Sequence, residues 1–498
     1  MKYKRSSGII LHPSSLPGPD GIGDLGSSAF EWIDFLKGCG CGLWQVLPLG
    51  PTGYGDSPYQ CFSAFAGNPY LISSEPLIEN GLLSQTDLSD RPNLPENKVD
   101  YGAAITWKVT LLDRAFETYC SNDANTIRPE FEDFSETHAE WINDFALFMA
   151  IKDTQSGAPW NNWPAPLRQR QPQALQQFKL DHIKDIQRHI FRQFLFFQQW
   201  NALRSYANSK GIQVIGDIPI FIAYDSADAW ANPELFYFDT NGQPTLIAGV
   251  PPDYFSPTGQ RWGNPLYRWK VHKDRGYAWW IERLKATFRL YDIVRLDHFR
   301  GFASYWEIPA ENPTAEIGRW VPGPRLDFFN TIKNELGELP LIAEDLGEIT
   351  PDVIELLDAL ELPGMKILQF AFGSGPENLF LPHNFTENYA AYTGSHDNDT
   401  ILGWYQTAQN HELDYCQRYL QTTGEHIALD MIRSIWASVA SIAITPLQDL
   451  LELGTEARMN FPGKPAGNWT WRMPKDALTL ARRDYMRDLN ELYGRLAE

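Results

Sequence analysis

The chain has 498 residues, of which 43% are hydrophobic, so it is long enough and apolar enough to form a large core. Its 62 acidic residues outnumber 42 Lys and Arg, and the net charge of −20 argues against nucleic acids and anionic membranes as partners. The 5 cysteines fit no disulfide framework, and the sequence shows neither a secretory leader nor an apolar run of about 18 residues. We therefore predict a cytoplasmic protein.

Short apolar segments recur along the whole chain, and helical periodicity separates most of them. The segments predict eight strands, near residues 10, 46, 217, 294, 342, 367, 391 and 443. A mostly helical insertion is predicted at about 71–210, and a loop-rich insertion that resembles a lid at about 223–273. This alternation of strands and helices predicts a single (β/α)8 barrel domain over residues 1–498, with large insertions and no all-β domain at its C-terminal end.

The loop that follows the second predicted strand, residues 50–60, is dense in Gly and Pro. It presents Tyr54, Asp56, Ser57 and Tyr59 to a surface. Taken alone, the loop is explained equally well as a simple connector.

The strand near residue 294 carries charged residues among its apolar ones. Ile293, Val294 and Leu296 are typical of a buried strand. Arg295 and Asp297 are two residues apart, so they point to the same side of that strand. A cation beside a carboxylate favours its ionised form, and an ionised Asp can act as a nucleophile. A structural ion pair at a strand end is the alternative explanation.

Polar side chains also follow several other predicted strands. Asp217, Glu344 and the pair His396 and Asp397 all lie where a strand passes into a loop. In a (β/α)8 barrel the active site is built at the C-terminal ends of the strands. Acids on separate strands that share this end favour an active site over a structural ion pair.

Two carboxyl groups with different protonation states are typical of chemistry at glycosidic bonds. Glu344 follows the apolar residues 341–343 and precedes Asp345. An apolar environment and a neighbouring negative charge both disfavour ionisation, so we predict that the pKa of Glu344 is raised and that it can donate a proton.

Patterns for metals and nucleotide cofactors are absent from the sequence. It has no triple-histidine set or cysteine cluster for zinc, and the Arg and His residues near the acids suit a magnesium cage poorly. The glycine-rich fingerprints of nucleotide binding are also missing. We predict no cofactor and no metal.

The sequence contains the motifs PTGYGDSPYQ, GDIPIF, GVPPDYFSPTGQRWGNPLY, VRLDHFRG, AEDLG and GSHDNDT, which lie between residues 51 and 400. In these motifs the sequence resembles the 4-α-glucanotransferases known as amylomaltases or disproportionating enzymes (glycoside hydrolase family 77), and the resemblance covers essentially the whole chain. The resemblance implies Asp297 as the nucleophile, Glu344 as the acid/base and Asp397 as the transition-state stabiliser. It implies substrate contacts at Ser57, Tyr59, Asp217, Asp253, Gln260, Trp262, Arg295, His298, His396 and Asn468. Tyr54 and Tyr101 resemble outer glucan-binding aromatics, and the loop with Tyr254 and Phe255 resembles a lid over the cleft.

The resemblance also implies a reaction. A segment of a 1,4-α-D-glucan is transferred, with retention, to the 4-OH of an acceptor glucan or glucose, and intramolecular transfer gives cyclic glucans. Maltodextrin- and amylose-type glucans are then the expected donors and acceptors, with no nucleic-acid or membrane partner.

Two other classes of protein remain as alternatives. One is a retaining α-glucan hydrolase of the α-amylase type, which uses the same carboxylate chemistry but generally adds an all-β domain after the barrel. The other is a non-catalytic carbohydrate-binding protein, which would need neither an Arg-paired Asp nor a separate Glu.

Overall fold

The computed structural model describes residues 3–121, 127–252, 256–464 and 466–497. The strands of the described chain are β1 (Ser6–Ile10), β2 (Leu43–Gln45), β3 (Gln213–Pro219), β4 (Leu246–Val250), β5 (Gln260–Pro265), β6 (Ile293–Asp297), β7 (Ser304–Pro309), β8 (Arg319–Pro322), β9 (Leu341–Ala343), β10 (Gly364–Ile367), β11 (Tyr389–Tyr392) and β12 (Ile442–Pro446). Eight of them close a parallel barrel in the order β1-β12-β11-β10-β9-β6-β3-β2, at the places predicted from sequence. The predicted (β/α)8 barrel is confirmed.

Helices surround the barrel and fill the first long insertion. They are α1 (Ser27–Cys39), α2 (Ser74–Glu79), α3 (Tyr101–Ser121), α4 (Arg128–Thr137), α5 (Ala139–Thr154), α6 (Ala165–Arg168), α7 (Pro172–Asp181), α8 (Ile183–Ser209), α9 (Ala227–Ala231), α10 (Trp269–Asp274), α11 (Ala278–Leu290), α12 (Arg300–Ala303), α13 (Arg325–Leu336), α14 (Pro351–Leu360), α15 (Ile401–Thr407), α16 (Asn410–Leu420), α17 (Ile427–Ala437), α18 (Leu447–Leu450) and α19 (Leu480–Leu492). None of the helices within the described residues has both the length and the apolar content needed to cross a bilayer.

Side chains alternate between the inside and the outside of the barrel. Ile215, Ile293 and Ile342 belong to one apolar cluster, whose fully buried members all come from barrel strands. Val294 and Leu296 belong instead to the large core shared with the surrounding helices. Alternate residues of a strand share a face. The side chains two residues after Ile215, Ile293 and Ile342 therefore also face inward, at the C-terminal end of the barrel.

The helical insertion between β2 and β3 is tied to the barrel by a buried ion cluster. Lys108 of α3 is 1% exposed, and its Nζ lies 3.2 Å from Asp20 and 2.8 Å from Asp24. A buried ammonium group is tolerated only where partners replace its hydration. Both carboxylates follow β1, so the pair fixes the insertion to the first strand of the barrel.

The region predicted to be loop-rich, residues 223–273, contains two strands that were not predicted. β4 pairs antiparallel with β5 and with β7, and β7 pairs with β8, which gives a separate sheet in the order β5-β4-β7-β8. The sheet stands beside the C-terminal end of β6, since α12 and β7 follow β6 almost directly.

Candidate active site

Arg295 lies at the centre of a cluster of polar side chains inside the C-terminal end of the barrel. It is 3% exposed, and its Nη1 lies 2.6 Å from Asp217 Oδ2 and 2.8 Å from Asp297 Oδ1. β3 and β6 are neighbours in the barrel, and their register places Asp217 opposite Arg295. The predicted shared face of Arg295 and Asp297 is therefore confirmed, and one guanidinium holds two carboxylates.

Asp217 is fully buried in this cluster. Its Oδ2 accepts a hydrogen bond of 2.9 Å from the hydroxyl of Tyr59, whereas Oδ1 has no hydrogen-bond partner among the described residues. Burial raises the pKa of Asp217 to about 6; the guanidinium of Arg295 opposes that change, and the charge of Asp297 adds to it. Oδ1 therefore keeps unused capacity to accept a hydrogen bond.

Glu344 follows β9, and its backbone and side chain are both tied to the end of β6. Its backbone N–H donates to Leu296 O at 3.0 Å. One carboxylate oxygen accepts from the backbone N–H of His298 at 2.7 Å and the other accepts from that of Leu346 at 2.9 Å. These bonds place the carboxyl group next to the residue that follows Asp297.

Burial raises the pKa of the Glu344 carboxyl to about 8. Arg295 opposes this change, and the negative charge of Asp297 reinforces it. The pKa of Glu344 is thus raised, as predicted. The prediction that the negative charge of Asp345 contributes to this rise is wrong, because the contributing charge is that of Asp297. Asp345 follows Glu344 directly and faces the other way, where its Oδ1 accepts from the backbone N–H of Met365 at 2.6 Å.

His396 and Asp397 lie in the loop after β11, which is separated from β6 in the barrel by β10 and β9. His396 is 6% exposed; its ring stacks on that of Tyr59 at 4.9 Å, with Nδ1 3.4 Å from the Tyr59 hydroxyl. Asp397 Oδ1 lies 3.4 Å from His396 Nε2 and accepts a hydrogen bond of 2.6 Å from Asn460 Nδ2. The Asp397 carboxylate is about half exposed, so it faces the open end of the barrel.

The antiparallel sheet brings Gln260 and Trp262 of β5 to the same site. The Trp262 ring meets that of His298 edge-on at 4.7 Å, and its Nε1 donates to Gln260 Oε1 at 3.1 Å. His298 follows Asp297 with a positive φ of 54°, and its buried Nε2 has no hydrogen-bond partner among the described residues. Burial lowers the pKa of His298 to about 3, so its ring is neutral at neutral pH.

The other predicted contacts belong to segments that adjoin this cluster, since the Trp469 ring lies 5.9 Å from the rings of both Tyr59 and His396. Ser57 is partly exposed and its Oγ accepts from the Tyr59 backbone at 3.2 Å, while Tyr54 on the same loop is 78% exposed. The Tyr101 hydroxyl donates to Trp469 O at 2.9 Å. The amide group of Asn468 bonds two backbone groups of its own loop, at residues 461 and 464. Asp253, Tyr254 and Phe255 lie outside the described residues, so their roles stay predictions.

Two polar residues at the site were missed by the sequence analysis. Asn460 holds the side chain of Asp397, and Arg458 Nη2 donates to the Asp397 backbone carbonyl at 2.6 Å. Both lie beyond α18, outside every motif used above, and neither lies directly at the end of a strand. No sequence signal links them to Asp397; only the folded chain brings them together.

The (β/α)8 barrel carries an Arg-paired Asp and a separate Glu of raised pKa at the C-terminal ends of neighbouring strands. This arrangement is that of an enzyme acting on glycosidic bonds. Comparison with known proteins narrows this class. A model of the family described as 4-alpha-glucanotransferase matches residues 11–479, so the chain belongs to that family.

Similar proteins cover the chain from end to end. The 4-alpha-glucanotransferase of Thermus thermophilus is 51% identical over 504 residues, which span 100% of both chains. That of Synechocystis is 48% identical over 500 residues, or 99% of each. The solved structure of amylomaltase from Streptococcus agalactiae in complex with acarbose superposes with a TM-score of 0.96 at 40% identity, over 99% of this chain and 100% of that one. The chain is thus a glycosyltransferase of the 4-alpha-glucanotransferase type.

Proposed function

We propose that this enzyme transfers segments of α-1,4-glucans in two displacements at Asp297. A carboxylate oxygen of Asp297 attacks C1 of the donor as the bond from C1 to O4 breaks, and Glu344 gives its proton to the departing O4. A glucosyl ester forms and the released chain leaves. The 4-OH of a second glucan then attacks C1, Glu344 takes its proton, and Asp297 is freed. Two inversions give net retention.

The observation that carries this proposal is the contrast between two neighbouring carboxyl groups. Asp297 is 2.8 Å from the permanent cation of Arg295, whereas among the described residues the Glu344 carboxyl accepts hydrogen bonds from backbone N–H groups alone, and its pKa is raised to about 8. Esterification removes the charge of Asp297, one of the causes that raise this pKa. The pKa of Glu344 then falls, which suits it to accept the proton of the acceptor hydroxyl.

Substrate contacts are proposed for groups that remain unsatisfied at the rim. Asp217 Oδ1 and His298 Nε2 are both buried and lack partners among the described residues. A buried polar atom without a partner costs on the order of 1–3 kcal/mol, and a sugar hydroxyl would remove that cost. We assign Asp397 to the ring hydroxyls of the reacting sugar, because its carboxylate faces the open end of the barrel.

Maltodextrin- and amylose-type glucans are the proposed donors and acceptors, and chains long enough to reach back supply their own acceptor and give cyclic glucans. A cytoplasmic location is proposed as well. Cys39, Cys41, Cys61, Cys120 and Cys416 are all free thiols, as is usual in a reducing compartment.

The choice between transfer and hydrolysis is tested with maltotriose as the only sugar. We expect glucose and a ladder of longer maltodextrins, with the number of reducing ends constant, because each bond broken is matched by a bond formed. Chromatography of the products and a reducing-end assay give the two readings. A steady rise in reducing ends without longer products would favour the hydrolase alternative.

Asn460 is expected to act as a positioning residue for Asp397. Replacing Asn460 by Ala removes a hydrogen bond to a charged group, worth about 1.5–3 kcal/mol, so kcat should fall about 10- to 100-fold. KM should change little if the bond matters mainly in the transition state. Asn388→Ala, which removes an exposed amide remote from this loop, is the control. A fall in thermal stability with unchanged kcat would contradict the positioning role.

A further inference from the structure

A cavity lies outside the barrel, between the helical insertion and the helices that follow β3. It has a volume of about 610 Å³ and is bounded by α5 and α8 on one side and by α9, α10 and α11 on the other. This volume falls in the range of about 300–1,000 Å³ that is usual for small-ligand sites. None of the residues assigned above to the reaction or to the substrate lines it.

Aromatic rings form much of the cavity wall. Phe65 lies parallel to Trp141, with ring centroids 6.3 Å apart and an interplanar angle of 16°, and it meets Trp279 edge-on at 6.1 Å. The ring of His138 stacks on Phe197 at 5.7 Å. Trp141 and Trp279 are only partly buried, so ring surface remains open to a ligand.

Three ring nitrogens that belong to residues of the cavity wall are buried and make no hydrogen bond to any described residue. They are His138 Nδ1, His272 Nε2 and Trp279 Nε1. The His272 side chain is only 1% exposed, so water hardly reaches it from outside. Burial lowers the pKa of His272 to about 4, and a hydrogen bond at the backbone of Leu235 opposes this. With the Leu235 carbonyl accepting from one ring nitrogen, the neutral ring keeps Nε2 as an acceptor, whereas Trp279 can only donate.

Charges at the cavity wall are mostly neutralised by neighbours. Asp144 is 2.7 Å from Arg170, Glu282 is 2.7 Å from Lys285, and Arg275 is 2.7 Å from Glu234. A matching ligand would carry no charge, lie flat on aromatic rings, and both donate and accept hydrogen bonds. These requirements describe a molecule with apolar faces and several hydroxyl groups. Sugar rings have these properties, because each hydroxyl both donates and accepts.

We propose that this cavity binds one or two glucose units of an α-1,4-glucan, as a glucan-binding site distinct from the active site. The choice of glucan rests on the proposed function, whereas the preference for a neutral sugar rests on the cavity alone. A long chain held here would raise the effective concentration of its other segments at the active site.

Fluorine NMR of the full-length Asp297→Asn protein, labelled with 5-fluorotryptophan, tests the proposal with maltose as the probe. The chain has 18 Trp residues, and the signals of Trp141, Trp262 and Trp279 are assigned by replacing each with Phe. We expect saturable shifts of Trp141 and Trp279 with a Kd on the order of 1 mM. Trp262 reports active-site occupancy in the same titration.

Sorbitol, which has hydroxyls but no ring, should not move the cavity signals, and the fully buried Trp436 is the internal control.

Matched variants separate direct binding in the cavity from effects transmitted from the active site. His272→Phe keeps a flat ring but removes Nε2, and should weaken the Trp141 titration about tenfold, while the Trp262 titration is unchanged. Trp279→Phe removes only the donor and part of the ring, and gives the same test if His272→Phe does not fold. Cavity signals that stay fixed at about fifty times the expected Kd, or that follow Trp262 in every variant, would overturn the proposal.

The two proposals can fail separately. If the cavity binds no sugar, wild-type protein still disproportionates maltotriose while Trp141 and Trp279 stay unmoved. If the proposed reaction is wrong, maltotriose gives no ladder while the cavity signals still respond to maltose.

Discussion

Replacing Asp297 by Asn is expected to lower kcat for glucan transfer on the order of 10⁴-fold or more, a loss usual when a group that acts together with others in catalysis is removed. An amide oxygen carries no negative charge, so it cannot form the ester that the mechanism requires. The substitution also leaves Asp217 as the remaining ion-pair partner of the Arg295 guanidinium among the described residues.

Glucan binding should survive this change. Tyr59, Asp217 and His298 keep their positions, because Asn has nearly the same shape as Asp. Titration calorimetry should therefore give a Kd of the Asp297→Asn variant for maltotriose that is close to the Kd of the wild-type protein for a non-reacting glucan analogue. We expect the two values to agree within about threefold. Asp274→Asn, the same change at an exposed ion pair of α10, should leave both activity and binding unaltered. Residual transfer above a tenth of the wild-type rate would remove Asp297 from the role of nucleophile.

Replacing Glu344 by Gln is expected to lower kcat about 10²- to 10⁴-fold, because no proton reaches the departing oxygen and none is taken from the acceptor. The pH profile gives a second test. The first step needs protonated Glu344, and the pKa of this group is raised to about 8. The kcat/KM of the wild-type enzyme should therefore fall tenfold per pH unit above a pH of about 8. This decrease should be missing from the pH profile of the Gln variant.

A donor with a leaving group that needs no proton separates the two duties of Glu344. With α-maltosyl fluoride, the Gln variant should release fluoride in a burst close to one equivalent, followed by slow turnover, since the ester forms but acceptor attack lacks its base. Glu348→Gln, in the exposed loop after the same strand, is the matched control and should retain the wild-type profile. A basic limb that persists in the Glu344→Gln protein would assign the titration to another group.

The same pKa shift predicts how stability depends on pH. The pKa of Glu344 is raised in the folded chain, so its contribution to stability is fully present below the ordinary value of 4.5 and is lost as pH rises through about 8. The neutral Gln side chain does not titrate. The difference in melting temperature between the Gln variant and the wild type should therefore shift in favour of the variant as pH rises across this window.

Much of the architecture could be predicted from sequence because the relevant signals are local. A barrel strand is a short apolar run, and all eight runs lie in the barrel where they were predicted. The common face of Arg295 and Asp297 follows from the two-residue repeat of a strand, and their 2.8 Å contact confirms it. The motifs also indicated the family, and a model of that family matches residues 11–479.

The sheet β5-β4-β7-β8 could not be predicted in this way. Its strands contain Gly, Pro and Trp, have weak alternation and depend for their stability on partners distant in sequence. Yet this sheet places Gln260 and Trp262 beside His298, so the form of the candidate site depends on it.

Short segments of the chain specify which residues could carry chemistry and at which end of the barrel they lie, because strand periodicity and strand ends are local properties. The electrostatics of these residues depend on the folded arrangement of distant segments. The charge near Glu344 is that of Asp297 on a neighbouring strand, and Asn460, 63 residues farther along the chain, holds Asp397. Barrel closure and register set these distances, and a Coulomb interaction depends on distance in space, not along the chain.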